Sequence, residues 1–307
     1  MRVLVSGGAG FIGSHVVEAL LRADHQVWVV DNLKSGRSEF VSPAANFVLG
    51  DIRHPQRWSP LVPKVDVVIH LAAQVSVPDG EADPLEDGST NLVGTLKMLD
   101  WAKGQGAREF RFASSAAVYG VPAYLPLDES AALAPLAFYG MHKQAAEWDV
   151  RHFCELNHMS GVVLRLANVY GPRQRDEGEG AVVAAFATAL GSSQMPVLHG
   201  DGGQSRDFIF VEDVARAFVT GIGEQSGGLT LNIGTGKATT VLALWQQLAR
   251  IAGSNPESVR FGPARPGDIR HSLLEVRAAE EALQFRAEVE LSEGLAKTYA
   301  YFSTQPR

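Results

Sequence analysis

Six short apolar runs punctuate the first 170 positions: Val3–Val5, Val27–Val30, Phe47–Leu49, Val65–Ile69, Phe110–Phe112 and Val162–Leu166. They are near-continuous rather than alternating, which is the mark of parallel strands buried on both faces. Between them, positions 11–23, 84–104 and 139–157 carry apolar residues at three- and four-residue spacing, and this predicts helices. Strands and helices alternating at these lengths predict βαβ units, hence an α/β fold built on a doubly wound parallel sheet. After Gly171-Pro172 the pattern loosens. Helical stretches at 179–190, 212–221, 240–252, 276–283 and 292–302 are separated by Gly/Pro-rich loops, with fewer and shorter strands. The expected division is therefore a sheet domain over 1–170 and a smaller α/β lobe over 171–307, with segments from about 206–235 returning to the first part.

Composition narrows the class. A chain of 307 residues, 46% hydrophobic and 20% charged, is long enough to bury a large core without a disulfide or metal staple. Its net charge of −7 opposes a dominant nucleic-acid or anionic-membrane surface. The single cysteine, Cys154, excludes an internal disulfide, and Met-Arg-Val-Leu-Val-Ser does not read as a signal peptide. The longest apolar stretch, Ala181–Leu190, is about half a membrane span. A cytoplasmic protein with no membrane or nucleic-acid partner is expected. Nine histidines and Cys154 show no metal-ligand spacing, and His142, His152 and His158 lack a Glu or Cys framework, so no metal is expected.

Glycine is the one skew, at 31 residues. Gly7, Gly10 and Gly13 follow the first predicted strand in Gly7-Gly-Ala-Gly-Phe-Ile-Gly13 and open the first predicted helix. Glycines there permit a tight turn, approach of backbone amides to a pyrophosphate, and close helix–strand packing. Asp31 ends the second predicted strand, where a carboxylate accepts from the adenosine ribose and repels a 2′-phosphate, so NAD is favoured over NADP. Gly234-Thr-Gly-Lys237 lacks the spacing of a phosphate loop and reads as a turn.

Tyr139 and Lys143 lie four apart, on one face of a predicted helix. A phenol is a poor base at neutral pH, and an adjacent ammonium together with a positive nicotinamide ring would lower its pKa. Upstream, Ser114 and Ser115 fall at the carboxyl edge of the sheet, where ligands bind in doubly wound folds.

Together with Asp31-Asn32, Asp51-Ile52, His70-Leu-Ala-Ala-Gln74, Ser114-Ser-Ala-Ala-Val-Tyr-Gly120, Asn168-Val-Tyr-Gly-Pro-Arg173, Gly200–Ala215, Asn232-Ile-Gly-Thr-Gly236 and Arg265-Pro-Gly-Asp-Ile269, these motifs span the whole chain in order. The combination resembles the extended short-chain dehydrogenase/reductase family, and within it the UDP-glucose 4-epimerase branch. That resemblance implies a Rossmann-type NAD-binding domain and a nucleotide-sugar-binding lobe. It implies that Gly7, Gly10, Phe11, Ile12 and Gly13 cradle the pyrophosphate, Asp31 and Asn32 the adenosine ribose, and Asp51 and Ile52 the adenine. Leu71, Ala72, Ala73 and Asn91 would contact the middle of the cofactor, and Lys143 the nicotinamide ribose. Ser115 and Tyr139 would meet the sugar O4, while Asn168, Arg206 and Arg265 bind the UDP diphosphate and Asp268 the uridine ribose. Read without the resemblance, either arginine serves equally as surface charge or as a diphosphate donor.

Three positions depart from the family pattern. His142 stands where a serine commonly precedes the lysine, which puts the local hydrogen bonding in question. Ala116-Ala117 stands where related 4,6-dehydratases carry an acidic pair, so dehydration is disfavoured. Ser272 occupies a position where some members carry a bulky tyrosine, and a small residue there leaves room for an N-acetyl group. The expected reaction interconverts UDP-glucose and UDP-galactose, with UDP-GlcNAc and UDP-GalNAc as further substrates, by transient oxidation at C4. Alternatives are another NAD-dependent nucleotide-sugar epimerase or decarboxylase, such as a UDP-glucuronate 4-epimerase, and a non-catalytic NAD-sensing protein. The resemblance also implies a homodimer formed by pairing the helices near 84–104 and 139–157.

Overall fold

The computed structural model describes residues 1–175, 181–192, 195–224, 227–264 and 267–304. The first half runs β1 (Arg2–Ser6), α1 (Phe11–Arg22), β2 (Gln26–Asp31), β3 (Asn46–Leu49), β4 (Val67–His70), α2 (Val77–Ala82) and α3 (Pro84–Gly88). A π-helical turn (Ser89–Val93) then leads into α4 (Gly94–Gln105), β5 (Glu109–Ser115), α5 (Phe138–Leu156) and β6 (Ser160–Leu166). The second half contains β7 (Asn168–Tyr170), α6 (Val182–Gly191), β8 (Val197–His199), β9 (Ser205–Phe210), α7 (Val211–Val219) and β10 (Leu229–Ile233). It ends with β11 (Ala238–Thr240), α8 (Val241–Ile251), β12 (Arg260–Gly262), α9 (Arg277–Leu283) and α10 (Leu291–Thr304).

Seven parallel strands form the main sheet in the order β10-β6-β5-β4-β1-β2-β3. Period-two alternation divides its side chains between two cores. Val3, Val5, Val67, Ile69, Val162 and Leu164 face the α1–α7 side. Leu4, Val68, Phe110, Phe112 and Val163 face Met98 and Leu99 of α4 and Ala146, Val150 and Cys154 of α5. Burial on both faces explains the near-continuous apolar runs of β1, β4 and β6, whereas β3, expected to be buried in the same way, lies at the sheet edge with Phe47 and Leu49 exposed.

A third core joins β7 and β9 to α6, α8 and α10 through Tyr170, Phe186, Phe208, Phe210, Trp245 and Leu295. Strand β9 serves both bodies, since Ile209 faces the sheet core while Phe208 and Phe210 face the lobe. It pairs with β7 and β11 in a separate three-stranded sheet, whereas α7 packs on α1 and β10 joins the main sheet as its seventh strand. Among the described residues, no helix is long and apolar enough to cross a membrane.

The helix expected over 84–104 is instead α3, the π-helical turn and α4. The cause is local. Asn91 lies inside the π turn, buried, and its side chain is committed to the loop after β4. The Thr95 hydroxyl donates to the Asn91 carbonyl at 2.7 Å, following the irregular backbone.

Candidate active site

The order of the sheet reverses between β1 and β4, and the crevice at their carboxyl ends is where such folds take ligands. Gly7 has φ +75°, and a Cβ there would lie 2.6 Å from the Ala72 nitrogen. The turn after β1 thus rests directly on the loop after β4, with the Leu71 N–H donating to the Ser6 carbonyl at 3.0 Å. A Cβ on Gly13 would meet the Gly7 oxygen at 2.0 Å, so α1 can start this close to the turn only with glycine at that position. Gly10 is the N-cap of α1 and supplies no side-chain cap, which leaves the first-turn amides of Phe11, Ile12 and Gly13 for an anion. This cradle fits the pyrophosphate of a dinucleotide.

Asp31 closes β2 beside the cradle. Its Oδ2 accepts the Ala9 N–H at 3.0 Å and its Oδ1 the Leu33 N–H at 2.8 Å, and each oxygen keeps capacity for a ribose hydroxyl. Burial raises the carboxyl above its ordinary range, against the pull of those two donors. Asn32 donates to Asp51 at 3.4 Å. Arg53 grips Asp51 through Nη2 at 2.7 Å and Nε at 3.0 Å, holding its carboxyl down at about 2, and also reaches Glu86 at 2.8 Å. The Ile52 side chain turns away into the core, where a Cβ on Gly94 would approach its Cδ1 to 2.7 Å. Only the Ile52 backbone remains to face an adenine. Leu71, Ala72 and Ala73 are half-buried along the crevice. The Asn91 side chain accepts the Gln74 N–H and donates to the Gln74 carbonyl, both at 2.9 Å, and donates to Asp87 at 3.0 Å. With both of its N–H groups used on Gln74 and Asp87, Asn91 shapes the 71–74 loop that lines the crevice.

Tyr139 and Lys143 occupy the first turns of α5, against the end of β5. Ser115 ends β5 near enough to Tyr139 to favour its ionised form, while its Oγ accepts the Ala117 N–H at 3.2 Å. Lys143 is buried, donates to the Ala113 carbonyl at 2.8 Å, and lies 4.7 Å from the Phe112 ring centre and 5.9 Å from that of Tyr139. Burial brings its ammonium down to about 8, with Asp87 and Glu147 pulling the other way. Burial also pushes the Tyr139 phenol up to about 12, against the pull of Ser115, and Asp87 adds to the rise. The lowering of Tyr139 expected from the lysine is therefore not reached by the protein alone. Burial dominates there, and the nicotinamide ring expected to share in the lowering comes only with the cofactor. Ser114, the other candidate at this edge, is buried and donates to Glu147 at 2.5 Å, which makes it structural.

On the lobe side, Arg206 of β9 donates to Asp268 at 2.5 Å and to the Ser205 carbonyl at 2.9 Å. The Ser272 N–H donates to the same Ser205 carbonyl at 3.0 Å, so Arg206, Asp268 and Ser272 form one group. Asn168 stands on the neighbouring strand, in register with Phe208. Arg265 lies outside the described residues. Gly234–Lys237 is a turn, as expected, held by Asp207 through the Thr235 and Gly236 amides. Among the described residues, no group of three or more His, Cys, Asp or Glu could hold a metal ion.

From the sequence, His70 and Gln74 stand only as ends of a motif without a role, and Asp87 carries no signal. Asp87 sits four positions before Asn91, a spacing that signals nothing by itself, and only its burial within electrostatic reach of the tyrosine and lysine singles it out.

The crevice, its glycine cradle and the tyrosine–lysine pair define an enzyme of the extended short-chain dehydrogenase/reductase type. Residues 3–234 match the NAD dependent epimerase/dehydratase family, and the chain belongs to it. A UDP-glucose 4-epimerase of Mycolicibacterium smegmatis is 39% identical, covering 98% of this chain and 98% of that protein. The crystal structure of a UDP-glucose 4-epimerase with UDP-glucose from Thermotoga maritima superposes with a TM-score of 0.94 at 37% identity over 98% of each chain. That of a Thermus thermophilus UDP-glucose 4-epimerase in complex with NAD gives 0.89 at 35% identity over 99% of each chain.

Proposed function

We propose that the protein is an NAD-dependent UDP-glucose 4-epimerase, inverting C4 of the hexose in UDP-glucose and UDP-galactose. The observation that carries this reading is the seating of Tyr139, Lys143 and Ser115 at the carboxyl edge of the sheet, where the described glycine cradle opens. Full-length likeness to proteins of that activity supports it.

When bound, NAD supplies the acceptor and then the donor of the hydride at C4, so there is no net redox change. Gly7, Gly10 and the amides of Phe11, Ile12 and Gly13 would hold its pyrophosphate, and Asp31 with Asn32 its adenosine ribose. Asp51 and the Ile52 backbone would border the adenine, Leu71–Ala73 the middle of the cofactor, and Lys143 the nicotinamide ribose. Tyr139, as phenolate, takes the 4-OH proton directly or through Ser115 and later returns it. Lys143 stabilises that phenolate by its charge, and a cationic ring bound alongside adds to the effect. Between removal and return of the proton the sugar turns over, so binding energy has to rest on the UDP and leave the ring free. Arg206 and Asn168, with Arg265, would clamp the diphosphate and Asp268 the uridine ribose. Ser272, grouped with Arg206, leaves room for an N-acetyl group, so UDP-GlcNAc and UDP-GalNAc are accepted too.

Epimerisation of UDP-glucose, UDP-GlcNAc and UDP-glucuronate, assayed side by side with the purified holoenzyme, tests the reading. Turnover of the first two is expected, and activity confined to the uronate would overturn the proposal. Tyr139→Phe is expected to keep NAD and UDP-sugar binding while losing about 10²–10⁴-fold in turnover, the usual worth of a general base. Near-normal turnover would remove Tyr139 from that role.

The partner is a second copy of the chain. Leu85, Val93 and Leu96 on α3, the π turn and α4, with Met141, Trp148 and Leu156 on α5, are exposed, and Leu85 is 86% and Trp148 63% accessible. An apolar stripe along two packed helices favours helix pairing across a two-fold axis. A cytoplasmic location accords with the buried lone thiol and the UDP-sugar substrate.

A further inference from the structure

His142 is a departure from the family pattern and lies one residue before Lys143 on α5. Its imidazole has a built seat. The ring stacks on Phe138 with centres 6.0 Å apart and planes at 27°. A Cβ on Gly88 would come within 3.1 Å of its Nε2, so the backbone of α3 leaves just the space that the ring fills. Its Nδ1 lies 2.6 Å from Oδ1 of Asp87. The Asp87 carboxylate is wholly buried and also accepts from Asn91 at 3.0 Å and Gln74 at 3.2 Å. Of these three donors only the imidazole can carry a charge.

That carboxylate bears on the chemistry. Its field opposes ionisation of the Tyr139 phenol and favours the charged form of Lys143. The first effect works against a residue that has to act as phenolate. The imidazole Nδ1 is 2.6 Å from Asp87, and an imidazolium there would make the pair neutral and reduce its field at both neighbours. We propose that His142 is a positioning residue for the proton transfer: as an ion pair with Asp87, it cancels the carboxylate charge buried within electrostatic reach of Tyr139 and Lys143. The inference rests on the reading of Tyr139 as the base. The charged and titratable groups around the imidazole are Asp87 from α3, Tyr139 and Lys143 on its own helix, and Glu81 from α2. Glu81 accepts the Phe138 N–H at 2.9 Å, at the start of that helix.

His142→Gln keeps a donor for Asp87 but cannot become a cation, and His142→Ser restores the common family residue. The pH dependence of kcat in the NAD-loaded enzyme rises where Tyr139 ionises. Both variants should move that rise upward by about 0.5–1 pH unit, a loss of about 3- to 10-fold below it and little above it. Asp87→Asn should move it downward, and His142→Gln should then add nothing in the Asp87→Asn background. Tyrosinate absorbance of the holoenzyme, titrated against Tyr139→Phe as baseline, should shift in the same directions without reference to turnover. If both readouts stay in place in His142→Gln and His142→Ser, while turnover or melting temperature merely drops, the side chain is structural and the inference falls. If Tyr139→Phe itself keeps its turnover, the assignment of the base fails instead, and the two failures are distinguishable.

Discussion

His70 shows what a single buried side chain contributes at this site. It ends β4, between the Ser6 hydroxyl at 2.6 Å from Nδ1 and the Thr95 hydroxyl at 3.1 Å from Nε2. Thr95 spends its own proton on the Asn91 carbonyl, so it has to accept from Nε2–H, and Nδ1 accepts from Ser6. The ring is thereby held neutral, and burial brings its pKa down to about 3, with the Lys143 charge assisting. Unfolded chains take up this proton below about pH 6.5, whereas the folded protein does so only near 3. The unfolded state binds more protons across that window, so His70 makes stability fall as pH falls, by up to about 1.4 kcal/mol per pH unit. His70→Gln removes the proton-linked part. The stability gap between wild type and variant, measured by urea unfolding, should narrow steadily from pH 6.5 towards 4. A gap constant with pH would show that the imidazole titrates normally.

At the level of elements, the start of α1 is the most constrained point. The Gly7 carbonyl faces Gly13, and Gly7 itself is pressed on Ala72 from the other side, so neither can move aside. Gly13→Ala should therefore shift the helix start, costing about 1–3 kcal/mol as an overpacked site and lowering the NAD retained on purification by at least about tenfold. Melting temperature and cofactor absorbance of the purified variant measure both, and unchanged cofactor content would refute the cradle. The helix expected over 84–104 illustrates what periodicity misses. Three- and four-residue spacing survives a single inserted residue, so α3, the π turn and α4 share one apolar pattern. The break becomes necessary only because Asn91 has to reach a loop far away in sequence.

For the molecule as a whole, the exposed stripe on α3, α4 and α5 and the double-faced strand β9 matter most. Trp148→Glu places a charge in the centre of the stripe, which any helix-paired dimer would bury unpaired. Sedimentation should show a dimer for wild type and a shift to monomer for the variant at micromolar concentration. A wild-type monomer would exclude the pairing. Strand β9 presents Ile209 to the sheet core and Phe208 and Phe210 to the lobe, so Arg206 at its start is held rigidly relative to the cofactor crevice.

Local physics made much of this legible in the chain itself. Parallel strands buried on both faces favour apolar runs, a backbone approaching phosphate needs glycine, and a tyrosine and lysine four apart in a helix share one face. Those constraints act within a few residues, so six of the seven strands of the main sheet, the cradle and the Tyr139–Lys143 pair could be read directly, whereas β10 joins the sheet from the far half of the chain. The remainder depended on residues brought together from distant positions. Asp87 brought within electrostatic reach of Tyr139, Asn91 turned inward to Gln74, Ile52 directed into the core and Arg206 paired with Asp268 are all products of packing. Desolvation likewise has no local signature: the rise of Tyr139 to about 12 and the fall of Lys143 to about 8 exist only once the chain has closed around them.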